Sequence, residues 1–245
     1  MAVDLVPRNG IHTIYFDLDG TLRHSRPSFI EALSSFIQQL GLPPEIANSR
    51  QAHRWLYYYW AQSSELVSDR DNFGEDEDAF WINHSRRYLI ASGCQPVQSQ
   101  KLAPQLTHYM REEYNPEDLV TEDVLTTLQT LKEQGIRLGV ISNRRNPFDE
   151  QLESLGIDSY FEYALAAGTI DAWKPDPKIF QHALLEMEVE PEGAIYVGDN
   201  YFADVIGAQG AGLKPVLIDP DNLFPEADCF VIERLPDLEL FLAEK

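Results

Sequence analysis

The chain is short of cysteine, of basic residues and of long apolar runs, and each shortage removes a class of protein. Its two cysteines, Cys94 and Cys229, form no CxxC pair and have no metal-like spacing. They give no disulfide framework, and their scarcity fits a reducing cytoplasm. Lys and Arg number 19 against 40 Asp and Glu, for a net charge of −21. Nucleic acid is a poor partner for such a chain, because a phosphate backbone needs clustered Lys and Arg. The acidity serves solubility and still admits a small anion, since a metal ion and one or two cationic side chains can reverse the potential locally. No run approaches the roughly 20 apolar residues of a membrane span, and Met1 to Gly10 holds no apolar core of signal-peptide length. No membrane partner is expected. What is present is enough apolar material for a true core: 44% of residues are hydrophobic and 11% aromatic in a chain of 245. That length suits one large domain, or a core domain with a smaller one.

Two textures divide the chain. From Thr121 onward, short apolar runs alternate with amphipathic segments. Thr121-Glu122-Asp123 reads as a helix start, with Val124, Leu125, Leu128 and Leu131 on one face and Gly135 as the stop. Strands are expected at Ile136–Ile141, Tyr163–Ala166, Ala194–Val197 and Val216–Ile218. Helices are expected at Phe148–Leu155, Pro177–Met187 and Phe202–Gln209. Such alternation predicts an α/β fold with a doubly wound parallel sheet. Ile11–Phe16 belongs with these strands in character but lies far upstream. The stretch between is helical: Phe29 to Leu40 ends at Gly41-Leu42-Pro43-Pro44, Glu45–Trp60 is aromatic-rich, and Phe80–Ile90 and Gln98–Tyr114 follow an acidic loop at Asp69–Asp78. No convincing strand appears there. The expected organisation is a core of residues 1–22 and 116–245 with a helical module, residues 23–115, inserted after the first strand.

Four polar constellations close predicted strands. Asp17-Leu18-Asp19-Gly20-Thr21 ends the first, placing two carboxylates one residue apart where ligands of open α/β sheets bind. Crowded carboxylates resist ionisation unless a cation or donors offset them, and a hard divalent ion with oxygen ligands would do so. The alternative is an ordinary Asp-x-Asp-Gly turn. Ser142-Asn143 ends the second; its hydroxyl can donate to a phosphate oxygen, or it is a simple turn. Lys174-Pro175 precedes a Pro-started helix, and the lysine can bridge anionic groups or lie on the surface. Gly198-Asp199-Asn200 ends another strand, with Asp204 about one helical turn on, so both acids can face one site.

Taken in order, Asp17-Leu18-Asp19-Gly20-Thr21, Ser142, Lys174-Pro175 and Gly198-Asp199-Asn200-Tyr201-Phe202-Ala203-Asp204 resemble the motifs of the haloacid dehalogenase superfamily of phosphohydrolases. The resemblance covers residues 10–22 and 118–220. It implies a Rossmann-like core, with the inserted helical module similar to that family's cap in position and character only. It also implies the roles. Asp17 would be the nucleophile and Asp19 the acid/base. Ser142, with Asn143 beside it, and Lys174 would hold the phosphoryl oxygens. Mg2+ would be bound by Asp17, the main-chain carbonyl of Asp19, and Asp199, with Asp204 behind them or orienting Lys174.

Within the family, Asp19 argues for phosphate chemistry, since halide-releasing members lack this second aspartate. Lys101 is the module's single lysine and lies late in it, which disfavours imine-forming phosphonate cleavage. Gly198-Asp199-Asn200 favours a phosphatase over a sugar-phosphate mutase. Arg23 and His24 depart from the usual apolar-acidic continuation; they can meet a second anionic group or form a hinge salt bridge. Trp55, Tyr57, Tyr58, Tyr59 and Trp60 read as helix packing, Arg86 and Arg87 as a solvated face, and Arg144 and Arg145 as surface residues able to reach a substrate. The expected protein is a cytoplasmic, Mg2+-dependent phosphatase of a small phosphorylated metabolite. Its rivals are a phosphomutase and an idle binding or regulatory protein that kept the fold.

Overall fold

The structure, a computed structural model, describes residues 10–243. The reading of Met1–Gly10 as free of a signal segment therefore lies, save for Gly10, outside the described residues. The strands in chain order are β1 (Thr13–Phe16), β2 (His24–Arg26), β3 (Glu117–Leu119), β4 (Arg137–Ser142), β5 (Tyr163–Ala166), β6 (Ala194–Gly198), β7 (Lys214–Ile218) and β8 (Phe230–Ile232). By contacts the chain divides into two compact units, residues 1–24 with 118–245, and residues 25–117.

The first unit is built on a six-stranded, wholly parallel sheet in the order β5-β4-β1-β6-β7-β8. The fold is α/β and doubly wound. The chain leaves β1 on one side for β4 and β5, then returns to its other side for β6, β7 and β8. The order therefore reverses at β1, and the crevice beyond the carboxyl ends of β4, β1 and β6 is the switch point of the sheet. Register aligns those ends: Phe16 lies level with Val140 on one side and Val197 on the other.

A strand covered on both faces is apolar save where a polar side chain finds a partner, and β1 is buried throughout, with Thr13 Oγ1 hydrogen-bonded to the His12 ring. Ile14 and Phe16 join one core cluster with Leu128, Leu138 and Val197, while Tyr15 joins the opposite one with Phe180 and Tyr196. The helix Glu122–Glu133 starts where Thr121 accepts a hydrogen bond from Val124 N, and Gly135 follows its end with φ +75°. Pro177–Glu186 begins on its proline, with Asp176 as its cap. The expected helix at Phe202–Gln209 is instead a π-helical turn, Tyr201–Val205, running into Ile206–Gly210. The Asn200 side chain sets the start, accepting from Phe202 N and Ala203 N. β8 and a final helix, Leu238–Ala243, extend the alternation beyond the segment that periodicity resolved.

The second unit is helical, with segments Phe29–Gln39, Pro44–Ala47, Arg50–Trp60, Ser64–Phe73, Glu77–Ala91 and Pro96–His108. A Ser28/Glu31 capping box starts the first. One expectation is refined here and one fails. The segment Glu45–Trp60 is two helices, because Ser49 caps the second by accepting from Ala52 N. Asp69–Asp78 is not an acidic loop: Asp69 to Phe73 finish a helix capped by Ser63, and Asp76 caps the next one. Charge hid the pattern. Asp69 is buried, accepting from Tyr59 Oη at 3.0 Å and from Arg87 at 2.9 Å. Arg87 also reaches Glu65, so it is an internal tie rather than a solvated side chain.

His84 is packed among the rings of Trp55, Tyr59, Trp60 and Trp81, at centroid distances of 5.0–5.6 Å. Burial lowers its pKa to about 4. Folded protein therefore holds His84 neutral where the unfolded chain begins to take up a proton. That part of the stability is whole above about pH 6.5 and is lost as pH falls toward 4, on the order of 3 kcal/mol in full. Tryptophan-fluorescence melts of wild type should lose stability across this window, and His84→Phe should flatten the loss. Equal slopes in both proteins would remove His84 as its source.

Candidate active site

The site begins where β1 stops. Asp17 N donates to Val197 O at 2.9 Å, continuing the sheet by one residue, and the chain then folds into a tight loop. Leu22 N and Arg23 N both donate to Leu18 O, with Leu18 and Leu22 buried beneath. The loop turns at Gly20, φ +97°, a conformation that L side chains rarely adopt. A methyl group on Gly20 would lie 2.2 Å from Asp199 Oδ2, so the Asp199 carboxylate rests directly against this loop.

Lys174 joins the other motifs to Asp17. Its side chain is 3% exposed, and its Nζ lies 2.5 Å from Asp17 Oδ1, 2.7 Å from Asp204 Oδ1 and 2.8 Å from Tyr196 Oη. Asn143 fixes its main chain, donating from Nδ2 to Lys174 O and accepting from Lys174 N through Oδ1. Both ends of the Asn143 amide are thus engaged in placing the lysine. Asp204 is set by Asn200 N, which donates to its Oδ2 at 2.9 Å, and by Gly198, whose missing side chain leaves room for it. Ser142 closes β4 as a buried residue in register with Ala166.

The electrostatics follow from burial. Desolvation alone would strip Lys174 of its proton, but Asp17 and Asp204 outweigh it and hold its pKa well above the usual value. Burial pushes the Asp17 carboxyl up to about 7 against the pull of Lys174, with Asp204 and Asp19 adding to the rise. Burial likewise raises Asp199 well above the carboxylate range, and the charges of Asp17 and Asp204 raise it further. Two buried carboxylates, Asp17 and Asp204, therefore bond one ammonium, and the half-buried Asp199 carries its charge into the same site. The acids here are hard oxygen donors, and a small divalent cation suits them by displacing the protons that burial favours on Asp17 and Asp199. Among the described residues, no three His, Cys, Asp or Glu side chains form a ready-made metal cluster. A cation here would draw on the carboxylates of Asp17 and Asp199 and on main-chain oxygen.

Asp19 faces elsewhere. Arg144 grips it with two hydrogen bonds of 2.8 Å, and Arg23 adds a third at 2.7 Å. Both guanidiniums outweigh burial and lower its pKa. Arg23 also pairs with Asp118, Gln151 with Asp118 and Arg144 with Gln151, so the five side chains close a ring. Arg144 is placed by a turn packed against Gly168: Gly168 N donates to Arg144 O, and a methyl on Gly168 would strike Arg145 O. His24 begins β2, its pKa lowered by burial and by the charge of Arg23. Sequence reasoning missed Tyr196 altogether. Its one signal was a tyrosine inside an aliphatic buried run, where a hydroxyl needs a partner.

Comparison with known proteins follows from this geometry. A family model described as haloacid dehalogenase-like hydrolase matches residues 59–218. The chain belongs to that family. The human haloacid dehalogenase-like hydrolase domain-containing protein 3 is 30% identical over 221 residues, covering 88% of this chain and 85% of that protein. Phosphoglycolate phosphatase 1 of Pseudomonas aeruginosa is 26% identical, covering 92% and 77%. The crystal structure of 2-haloacid dehalogenase from Pseudomonas syringae pv. Tomato DC3000 is similar with a TM-score of 0.54 and 27% identity, covering 95% of this chain and 98% of that one. This haloacid dehalogenase-like hydrolase thus has phosphatase and dehalogenase relatives. The matched span starts after the Asp17–Thr21 loop, so the reading of that loop rests on its geometry.

The Gly20–Asp199 contact gives a direct test. Gly20→Ala forces a collision and a strained φ together, whereas Gly156→Ala, at φ +70° with nothing within 4 Å, adds the strain alone. Overpacking typically costs about 1–3 kcal/mol, or roughly 2–10 °C in Tm for a chain of this size. Gly20→Ala should melt lower than Gly156→Ala by about that margin. Equal melting temperatures would mean that Asp199 does not press on the loop.

Proposed function

We propose that the protein is a Mg2+-dependent phosphatase of a small phosphorylated metabolite, working through an aspartyl phosphate on Asp17. The observation that carries this reading is the Asp17 carboxylate, buried at the carboxyl end of the central strand and held 2.5 Å from Lys174. Asp17 attacks phosphorus, the ester P–O bond breaks, and the leaving oxygen takes a proton from Asp19. Water then attacks the phosphoenzyme while giving a proton to Asp19, which releases inorganic phosphate and restores Asp17. Lys174 and Ser142 hold the phosphoryl oxygens. Asp17, Asp199 and the main-chain carbonyl of Asp19 would hold the cation, which supplies charge neutralisation for phosphoryl transfer.

Asp19 supports phosphate over halide chemistry, because an alkoxide needs a proton and a halide does not. Its carboxylate must first leave the Arg144 fork and take up a proton from solvent, since both of its oxygens are taken there and the two guanidiniums hold it ionised. The helical unit is read as the family's cap, which selects the substrate.

Asp17→Asn keeps shape but cannot attack phosphorus, so phosphate release should fall by about a thousandfold or more. Activity within about tenfold of wild type, in protein shown by mass to be free of deamidation, would overturn the nucleophile. Dependence on a bisphosphate activator would mark a mutase instead.

The cation is tested by melting. With a folded pKa of about 7, Asp17 keeps a proton that the unfolded chain has already lost above about pH 4. Without a cation, stability therefore falls as pH rises from 4 to 7. Mg2+ competes with that proton, so it should raise Tm, relative to chelator, more at pH 8 than at pH 5. Asp199→Asn should shrink the shift. No Mg2+ effect at pH 8 would sink the metal assignment.

A further inference from the structure

Tyr196 lies in the middle of β6, fully buried, its ring edge-to-face with Phe180 at 4.9 Å. Its hydroxyl stands 3.0 Å from Ile141 O and 2.8 Å from Lys174 Nζ. A carbonyl can only accept, so the single hydroxyl proton goes to Ile141 O. An ammonium can only donate, so the hydroxyl oxygen accepts from Lys174. The hydroxyl is fixed in direction at both ends. The ammonium has three hydrogens and three partners: Tyr196 Oη, Asp204 Oδ1 and Asp17 Oδ1. With Cε and two of those bonds fixed, tetrahedral geometry leaves one direction for the third hydrogen, and that direction is Asp17.

We propose that Tyr196 is a positioning residue of the phosphoryl-transfer site. It holds one hydrogen of Lys174 so that the remaining one is aimed at Asp17 and at the phosphoryl oxygens gathered there. It acts through Lys174 and touches no substrate, and the inference rests on the phosphatase reading above. Asp204 is the second anchor of the same ammonium. The two anchors come from different segments, the interior of β6 and the π-helical turn after it, so the lysine is fixed from two sides.

Tyr15 supplies the control. It lies on the adjoining strand, in the same core cluster, fully buried, and its hydroxyl donates to Ala183 O at 2.9 Å. Tyr15→Phe and Tyr196→Phe each delete one buried hydroxyl and leave one main-chain carbonyl short of a donor. Only Tyr196→Phe also removes an acceptor from Lys174.

Both variants should be compared in turnover of an aryl phosphate, in Tm, and in water exchange of the Lys174 ammonium. The exchange is followed by 15N NMR in metal-free protein, with the signal assigned by its loss in Lys174→Arg. Tyr196→Phe should lower kcat by about 10- to 100-fold with KM within about threefold, and should speed ammonium exchange. Tyr15→Phe should lose comparable Tm while kcat and exchange stay at wild-type values. Equal losses of kcat in the two variants, or unchanged exchange in Tyr196→Phe, would overturn the proposal. If Tyr196→Phe does not fold, 3-fluorotyrosine at position 196 keeps the ring and weakens the acceptor; it should shift exchange the same way, and no shift would overturn the proposal. Wild type inactive on every phosphate ester would refute the phosphatase reading, while the exchange data would still decide whether Tyr196 fixes the lysine.

Discussion

One ammonium group organises this site. Lys174 is buried where a charge is costly, and it stays charged because Asp17 and Asp204 bond to it directly. Those carboxylates are in turn tolerable inside the protein because Lys174 is there. The dependence runs through the whole sheet edge. β1 delivers Asp17, β6 delivers Tyr196 and Gly198, and Asn143, just past β4, clamps the lysine main chain. Remove the ammonium and Asp17, Asp204 and Tyr196 lose their common partner.

The sequence made much of this arrangement legible, since strand ends in a parallel sheet can be placed from apolar runs alone. Asp17 and Asp204 follow buried neighbouring strands, β1 and β6, while Lys174 lies beyond the short helix Ala167–Ile170 that follows β5 and is brought to them by Asn143, just past β4. The segments that misled were those in which charge masked burial. Asp69 looked like part of a solvated acidic loop, yet it is an internal acceptor for Tyr59 and Arg87. Arg144 could be placed after the Ser142 turn, but its bond to Asp19 could not be read, because that partner is 125 residues away. Tyr196 was lost among the aliphatic residues of its strand: periodicity reports that a side chain is buried and says nothing of the bond its hydroxyl makes.

The two aspartates of the first motif therefore stand in opposite environments, though one residue separates them. Asp17 points inward and is raised by burial, while Asp19 points to two guanidiniums and is lowered by them. Strand alternation would put residues two apart on one side, but β1 ends at Phe16, and the loop that turns at Gly20 carries Asp19 away from Asp17 while Asp199 closes against it. Divergent environments of this kind are how a protein assigns different chemical tasks to two identical side chains.

The ring of Asp19, Arg23, Asp118, Gln151 and Arg144 has a consequence of its own. Its charged members are partly exposed, with side-chain accessibilities of 18–40%, whereas Lys174 and Asp204 are at 3% and 2%. Dissolved salt screens exposed pairs over roughly 8–10 Å at ordinary ionic strength and barely reaches buried ones. The two halves of the site thus answer differently to the same solution. As salt concentration rises, the hold on Asp19 loosens while the Lys174 anchorage stays as it was, so ionic strength acts on one aspartate of the first motif and leaves the setting of the other untouched.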